Sequence, residues 1–145
     1  MARPAGTEHQ PLLLQHYCAG KRLVALDIEA PGDRAALLRL LATADVVLEG
    51  FALGYLASRG LGHADLARSG LDLIVTSVTP YGQDGPYAGF QASDLVATAT
   101  GGLMHLTGFP DRAPSRPGGN QSLHVAGATA AYASLIALYH RLRTR

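Results

Sequence analysis

The sequence has little cysteine and little charge, and each shortage excludes a class of protein. Cys18 is the single cysteine among 145 residues, so no disulfide can form within the chain, and a thiol-reducing compartment is expected. Only 16% of the residues are charged, and the net charge is +1. A nucleic-acid-binding protein would carry a basic excess, so no nucleic-acid partner is predicted.

The sequence also lacks an obvious targeting or membrane segment. The apolar run at 11–14 is too short for the core of a signal peptide. No stretch approaches the ~20 consecutive apolar residues that cross a membrane. We therefore expect a soluble, cytoplasmic protein that has no membrane partner.

Motifs for metals and common cofactors are missing as well. None of the six histidines pairs with another ligand type at a recognised spacing, so no metal site is predicted. The glycine pattern of a dinucleotide fold, the Walker-type lysine loop and the Gly-x-Ser-x-Gly elbow are absent. No permanently bound cofactor is expected.

The residues that are present predict an α/β fold. Nearly half are apolar, and a chain of this length can bury a core. Apolar and β-branched runs predict three strands, at 23–28, 45–49 and 71–79. Helices are predicted after Pro31, after Ser93, and over 55–58, 63–68 and 122–143. This alternation predicts βαβ units and a mostly parallel sheet in 16–145, after an irregular segment at 1–15.

Two features of this pattern concern function. The loop 80–87, with two prolines and two glycines, follows the third strand, and open α/β sheets bind ligands at such strand ends. Asp45 and Glu49 flank the second strand, where acids either cap and solubilise or take part in catalysis. Small residues throughout the long helix predict close packing against a neighbouring element.

Several segments, in order, resemble the family III CoA-transferases. The segment 20–27 resembles the family's Lys-Arg strand, 44–51 its Ala-Asp-Val strand ending in Glu-Asn-Phe, and 77–87 its Gly-Gln-x-Gly-Pro-Tyr loop. The resemblance continues through Gly101-Gly102-Leu103-Met104, Arg116-Pro117-Gly118 and Ala126-Gly127, and it covers 16–142. It implies part of the family's large domain, an open Rossmann-like parallel sheet, and a homodimer or heterodimer of interlocked chains.

The resemblance also implies a chemistry and a set of binding residues. Family enzymes move CoA between carboxylic acids through an aspartate that forms an acyl anhydride and then a CoA thioester. CoA or acyl-CoA is thus the expected substrate. The residues that match CoA-binding positions are Lys21, Arg22, Phe51, Tyr81 and Gly82. The alternatives are that the two cations form a solvated strand start and that the two aromatics belong to the core.

The sequence departs from the family pattern at the position that matters most. Counting between the Arg-Pro-Gly and Ala-Gly anchors places the catalytic aspartate's position on Leu123. Leucine cannot act as a nucleophile, and loss of a nucleophile costs on the order of 10⁴ to 10⁶ in rate. The family's Asn before Phe51 is Gly50, and its following Arg-Pro is Ala52-Leu53.

Three interpretations follow from these departures. The chain is a piece of a CoA-transferase that needs a nucleophile from another segment, a non-catalytic CoA-binding or supporting half of a larger assembly, or an inert truncated remnant. We expect that the family's first strand–helix unit and its small domain lie outside this sequence. The acyl group is not specified by the residues present.

Overall fold

The computed structural model describes residues 10–144, which belong to two compact units, 1–43 and 44–145. The elements, in chain order, are α1 (Gln10–Tyr17), α2 (Pro31–Leu41), β1 (Val46–Glu49), a 3₁₀ turn (Ala57–Arg59), α3 (His63–Arg68), β2 (Ile74–Ser77), α4 (Asp94–Thr100) and α5 (Gln121–Thr144).

The first unit contains α1 and α2. The prediction of an irregular segment is wrong for residues 10–15, which lie in α1, while 1–9 lie outside the described residues. The three leucines and the two glutamines in α1 are good helix formers, which a search for an amphipathic pattern overlooks. As predicted, α2 starts at Pro31, and its Asp33 accepts a hydrogen bond from the backbone N–H of Asp27 at 2.9 Å.

The predicted strand at 23–28 does not form. Residues 21–27 are irregular, and Leu23 and Val24 are 66% and 65% exposed. A strand requires a hydrogen-bonded neighbour, and within the described residues the sheet consists of β1 and β2. An apolar β-branched run is therefore insufficient to form a strand here.

The second unit is built on a two-stranded parallel sheet. Val46 of β1 pairs with Ile74 of β2, and Glu49 with Ser77, so β2 is shorter than the predicted 71–79. Helix α3 lies in the crossover, and it ends before Gly70, whose φ of 78° supplies the predicted left-handed residue. The buried leucines of this crossover are Leu61, Leu66 and Leu73, which lie before, within and after α3.

The long helix α5 packs on the sheet through small residues, as predicted. Ala130 and Ser134 are buried, and the Ser134 hydroxyl lies 2.7 Å from that of Thr76 in β2. Near the helix end, Arg141 donates to the Asp72 carbonyl oxygen at 2.9 Å and pairs with Asp45 at 2.5 Å. These contacts hold α5 against both strands.

The opposite side of α5 carries large exposed apolar residues: Val125, Tyr132, Leu135, Ile136, Tyr139 and Leu142. In contrast to the expectation from the sequence, α5 is long and apolar enough, by length and composition alone, to cross a membrane. Core helices of soluble proteins meet the same criterion.

Candidate ligand-binding site

A cleft of about 480 Å³ opens at the carboxyl ends of the two parallel strands. We refer to it as the strand-end cleft. Its walls are the residues that follow β1, the residues that follow β2 and a short segment before α4, namely 50–53, 78–80 and 88–92. This is the position at which open α/β sheets bind ligands, as the sequence predicts.

Glu49, the last residue of β1, fixes the geometry of this edge. Its side-chain Oε2 accepts a hydrogen bond from the Phe51 N–H at 2.8 Å, and its carbonyl accepts one from the Val78 N–H at 2.8 Å. Glu49 therefore ties the turn after β1 to the end of β2. Together with the Asp45–Arg141 pair, this contact supports the structural interpretation of the two acids that flank the strand.

Phe51 lines the strand-end cleft at the edge of a stack of flat groups. Its ring lies 4.9 Å from the ring of Tyr55 at an interplanar angle of 15°, and the Arg59 guanidinium lies 3.8 Å from the Tyr55 centroid. The stack holds the Phe51 side chain in place while leaving it 47% exposed. A held, exposed aromatic ring is suited to contact a planar ligand group.

Gly50 leaves the adjoining wall of the cleft open. A Cβ at this position would approach only the Val78 carbonyl oxygen, at 3.8 Å, and its φ is not positive. The space is thus available for a side chain such as the family's asparagine. The local backbone does not require a glycine at this position. Glycine in place of the family's asparagine therefore changes only the lining of the cleft.

The loop 80–87 after β2 forms turns and bends, as predicted. Gly82 has a φ of 84°, which favours glycine, and its carbonyl oxygen accepts a hydrogen bond from the Thr79 hydroxyl at 2.7 Å. Tyr81 lines a second pocket, of about 690 Å³, with Tyr87 and Phe90. We refer to it as the aromatic pocket; its remaining lining residues are Pro80, Ala97, Thr100 and Gly101.

The two pockets adjoin, because Pro80 and Phe90 line both. The sequence pattern alone assigns no role to Tyr87 or Phe90. The available signal was three aromatic residues within ten positions of a Pro/Gly-rich loop. It was overlooked because exposed and core aromatics look alike in a sequence.

The carboxylate of Asp94 joins α4 to the start of α5. Asp94 Oδ1 accepts hydrogen bonds from the Ser122 hydroxyl at 2.6 Å and the Ser122 N–H at 3.0 Å. Its Oδ2 pairs with Arg116 at 2.9 Å. The pKa of the Asp94 carboxyl is lowered from its ordinary 3.8, chiefly by the hydrogen bond from the Ser122 hydroxyl. Burial acts in the opposite direction and raises the pKa, whereas Arg116 and the Ser122 N–H lower it further.

Leu123 is the third residue of α5 and is 59% exposed. Residues seven apart share a helix face, so Leu123 lies on the same side of α5 as Ala130, which packs on the sheet. Its side chain offers no carboxylate, and the neighbouring acid, Asp94, is bound to Ser122 and Arg116. Leu123 therefore carries no nucleophilic group, and its match to the position of a catalytic aspartate stays a prediction.

The remaining predicted residues, Lys21 and Arg22, belong to the first unit. The Lys21 ammonium donates to the carbonyl oxygen of Tyr17. Their role as contacts for CoA phosphates stays a prediction. Within residues 10–144, no group of three or more His, Cys, Asp or Glu side chains could hold a metal ion.

Comparison with curated proteins returns CoA-transferases. The chain is 40% identical over 129 residues to a protein named succinyl-CoA:(R)-benzylsuccinate CoA-transferase subunit BbsE, from Thauera aromatica, covering 89% of this chain and 32% of that protein. It is 35% identical to the acetyl-CoA:oxalate CoA-transferase of Acetobacter aceti, covering 93% of this chain and 35% of that protein. The chain thus spans about a third of the length of these relatives.

Solved structures with a similar fold also belong to proteins related in sequence to this chain. A CaiB/BaiF family protein from Brucella suis superposes with a TM-score of 0.78 at 37% identity, over 86% of this chain and 33% of that one. A hypothetical protein (Rv3272) from Mycobacterium tuberculosis gives 0.75 at 35% identity, over 86% and 35%. The sequence pattern of CoA-transferase family III matches residues 1–145, so the chain belongs to this family.

Proposed function

We propose that this chain is the CoA-thioester-binding part of an enzyme that transfers CoA between an acyl-CoA and a free carboxylic acid. The observation that carries the proposal is the strand-end cleft, which lies where parallel sheets bind ligands, in a member of a CoA-transferase family. Relatives named as transferases that act on succinyl-CoA and acetyl-CoA support the reaction class. The cytoplasmic location expected from the sequence is part of the proposal.

In this proposal the ring of Phe51 contacts a planar part of the CoA molecule, because it is exposed and held by Tyr55. Tyr81 lines the adjoining pocket, Gly82 follows it in the loop, and in the proposal both contact the thioester end. Gly82 supplies the left-handed backbone conformation of the loop, and Tyr81 supplies the apolar surface. CoA and acyl-CoA act as substrates, and no permanently bound cofactor takes part.

The reaction requires a carboxylate that this chain does not supply at the expected position. A carboxylate oxygen attacks the thioester carbonyl and releases the CoA thiolate, leaving an anhydride. The thiolate then attacks the enzyme's side of the anhydride, and the donor acid leaves as its carboxylate. The acceptor acid takes the same two steps in reverse, which forms the new acyl-CoA and frees the enzyme carboxylate. Leu123 can do neither step. We therefore propose that the nucleophile comes from another segment or from a partner subunit.

A supporting, non-catalytic role is the second candidate. Two relatives are named as subunits of a CoA-transferase, BbsE and the beta subunit of succinyl-CoA–L-malate CoA-transferase from Chloroflexus aurantiacus. The exposed apolar side of α5 is suited to pack on further polypeptide. In this case the chain forms a dimer with an active partner and contributes CoA contacts.

The test is CoA transfer from acetyl-CoA and succinyl-CoA to free acids by the purified chain. The Acetobacter aceti relative, assayed in parallel with oxalate, is the positive control. We expect no turnover by the chain alone. Appreciable turnover would mean that another residue acts as the nucleophile and that the assignment of Leu123 is wrong.

A further inference from the structure

The aromatic pocket is lined by uncharged residues, unlike a site that binds phosphate. Its residues are three aromatics, a proline, a threonine and two small residues, and none is charged. The phosphates of CoA need cations or clustered N–H donors, so they are unsuited to this pocket. Its volume of about 690 Å³ falls within the ~300–1,000 Å³ typical of small-molecule sites.

The three rings form an open cluster rather than a closed core. Tyr81 and Tyr87 each lie near Phe90, with centroids 6.2 and 5.4 Å from it and interplanar angles of 85° and 69°. These are edge-to-face arrangements, which aromatic groups favour and which a further ring can extend. Tyr87 and Phe90 are 59% and 58% exposed, so a ligand could still bury much of their apolar surface.

The pocket is also placed beside the strand-end cleft, with Pro80 and Phe90 common to both. We propose that the aromatic pocket binds the acyl end of the substrate and selects acyl groups that carry an aromatic ring over short polar ones. This inference rests on the proposed function, and it names the substrate class. Tyr81 and Tyr87 both line the aromatic pocket and not the cleft, and Tyr87, the more exposed of the two, is the specificity residue.

Free acids test the inference without CoA. We would titrate the full chain with 3-phenylpropionate, butyrate and succinate and follow the tyrosine ring signals by NMR. We expect 3-phenylpropionate to bind about tenfold more tightly than butyrate or succinate, because only it extends the aromatic cluster. Tyr87→Ala should weaken 3-phenylpropionate about tenfold. Tyr87→Leu, which keeps apolar bulk, should restore part of the loss.

The matched control is Tyr132→Ala, since Tyr132 is an exposed tyrosine on α5 outside the pocket, 68% exposed against 59% for Tyr87. This variant should bind 3-phenylpropionate like the unmodified chain. Circular dichroism would establish that each variant is folded. Equal affinity for the three acids, or binding unaffected by Tyr87→Ala, would overturn the inference.

A parallel titration with CoA separates this inference from the proposed function. Binding of CoA without selection for 3-phenylpropionate would overturn the aromatic pocket alone. Selection for 3-phenylpropionate without binding of CoA would support the pocket and contradict the proposed CoA site.

Discussion

Asp94 and Ser122 form a double hydrogen bond that attaches the beginning of α5 to the beginning of α4. The Ser122 hydroxyl and N–H both donate to the same oxygen, at 2.6 and 3.0 Å. The first N–H groups of a helix have no partner within it, and a carboxylate satisfies them and interacts favourably with the helix dipole. The contact therefore fixes the segment that contains Leu123.

Replacement of Asp94 by alanine should destabilise the second unit. The Asp94 side chain is 8% exposed, and its loss leaves the Ser122 N–H and Arg116 without their carboxylate partner. We expect the midpoint temperature to fall by several degrees. Asp111→Ala, which changes an exposed acid in the loop after α4, should leave the midpoint within about a degree. Equal effects of the two variants would contradict a structural role for Asp94.

The lowered pKa of Asp94 makes its stabilising effect dependent on pH. Because the folded-state pKa lies below the ordinary 3.8, the unfolded chain binds the proton first as the pH falls. The contribution of the Asp94 carboxylate to stability is complete above the ordinary pKa of 3.8. It is lost as the pH falls through the lower, folded-state pKa. Urea unfolding of the chain and of Asp94→Asn, at about pH 7 and at about pH 3, measures the difference. The difference between the two stabilities should be smaller at the lower pH, and a constant difference would contradict the assignment.

Gly50 and Gly82 should respond differently to substitution by alanine. A Cβ at Gly50 has space and the backbone has no positive φ, so Gly50→Ala should fold normally. Gly82 has a φ of 84°, so its substitution should cost about 1–2 kcal/mol even though nothing lies near the new Cβ. Chemical denaturation of both variants is the measurement. Similar losses at the two positions would mean that the turn at Gly82 is not as described.

The sequence predicted the parts of the fold that depend on local pattern. The start of α2 at Pro31, the end of α3 before Gly70 and the cap at Ser93 follow from residue chemistry that acts over a few positions. The strand at 23–28 was wrong because strand formation depends on a neighbour, which composition does not reveal. The exposure of the apolar outer side of α5 was also not predicted, because in the sequence its residues look like the buried face of a core helix.

The candidate site was predicted in location but not in detail. Phe51 and the first residue of the loop after β2, Pro80, line the strand-end cleft, as the order of elements and the family resemblance indicate. The aromatic pocket could not be anticipated, since it depends on how Tyr81, Tyr87 and Phe90 turn towards one another. The role of Asp94 likewise required the distance to Ser122, a residue 28 positions away in the chain.

The measurement that tests the central claim most directly is a thermal-shift titration of the purified chain with CoA and acetyl-CoA. A ligand that binds only the folded chain adds about 2.7 kcal/mol of stability at a hundredfold excess over Kd. We predict a dose-dependent rise in the midpoint, which Phe51→Ala reduces. The control Phe109→Ala, at an exposed phenylalanine that lines neither pocket, should leave the rise unchanged. A cooperative transition that neither CoA nor acetyl-CoA moves would contradict the proposed CoA-binding function.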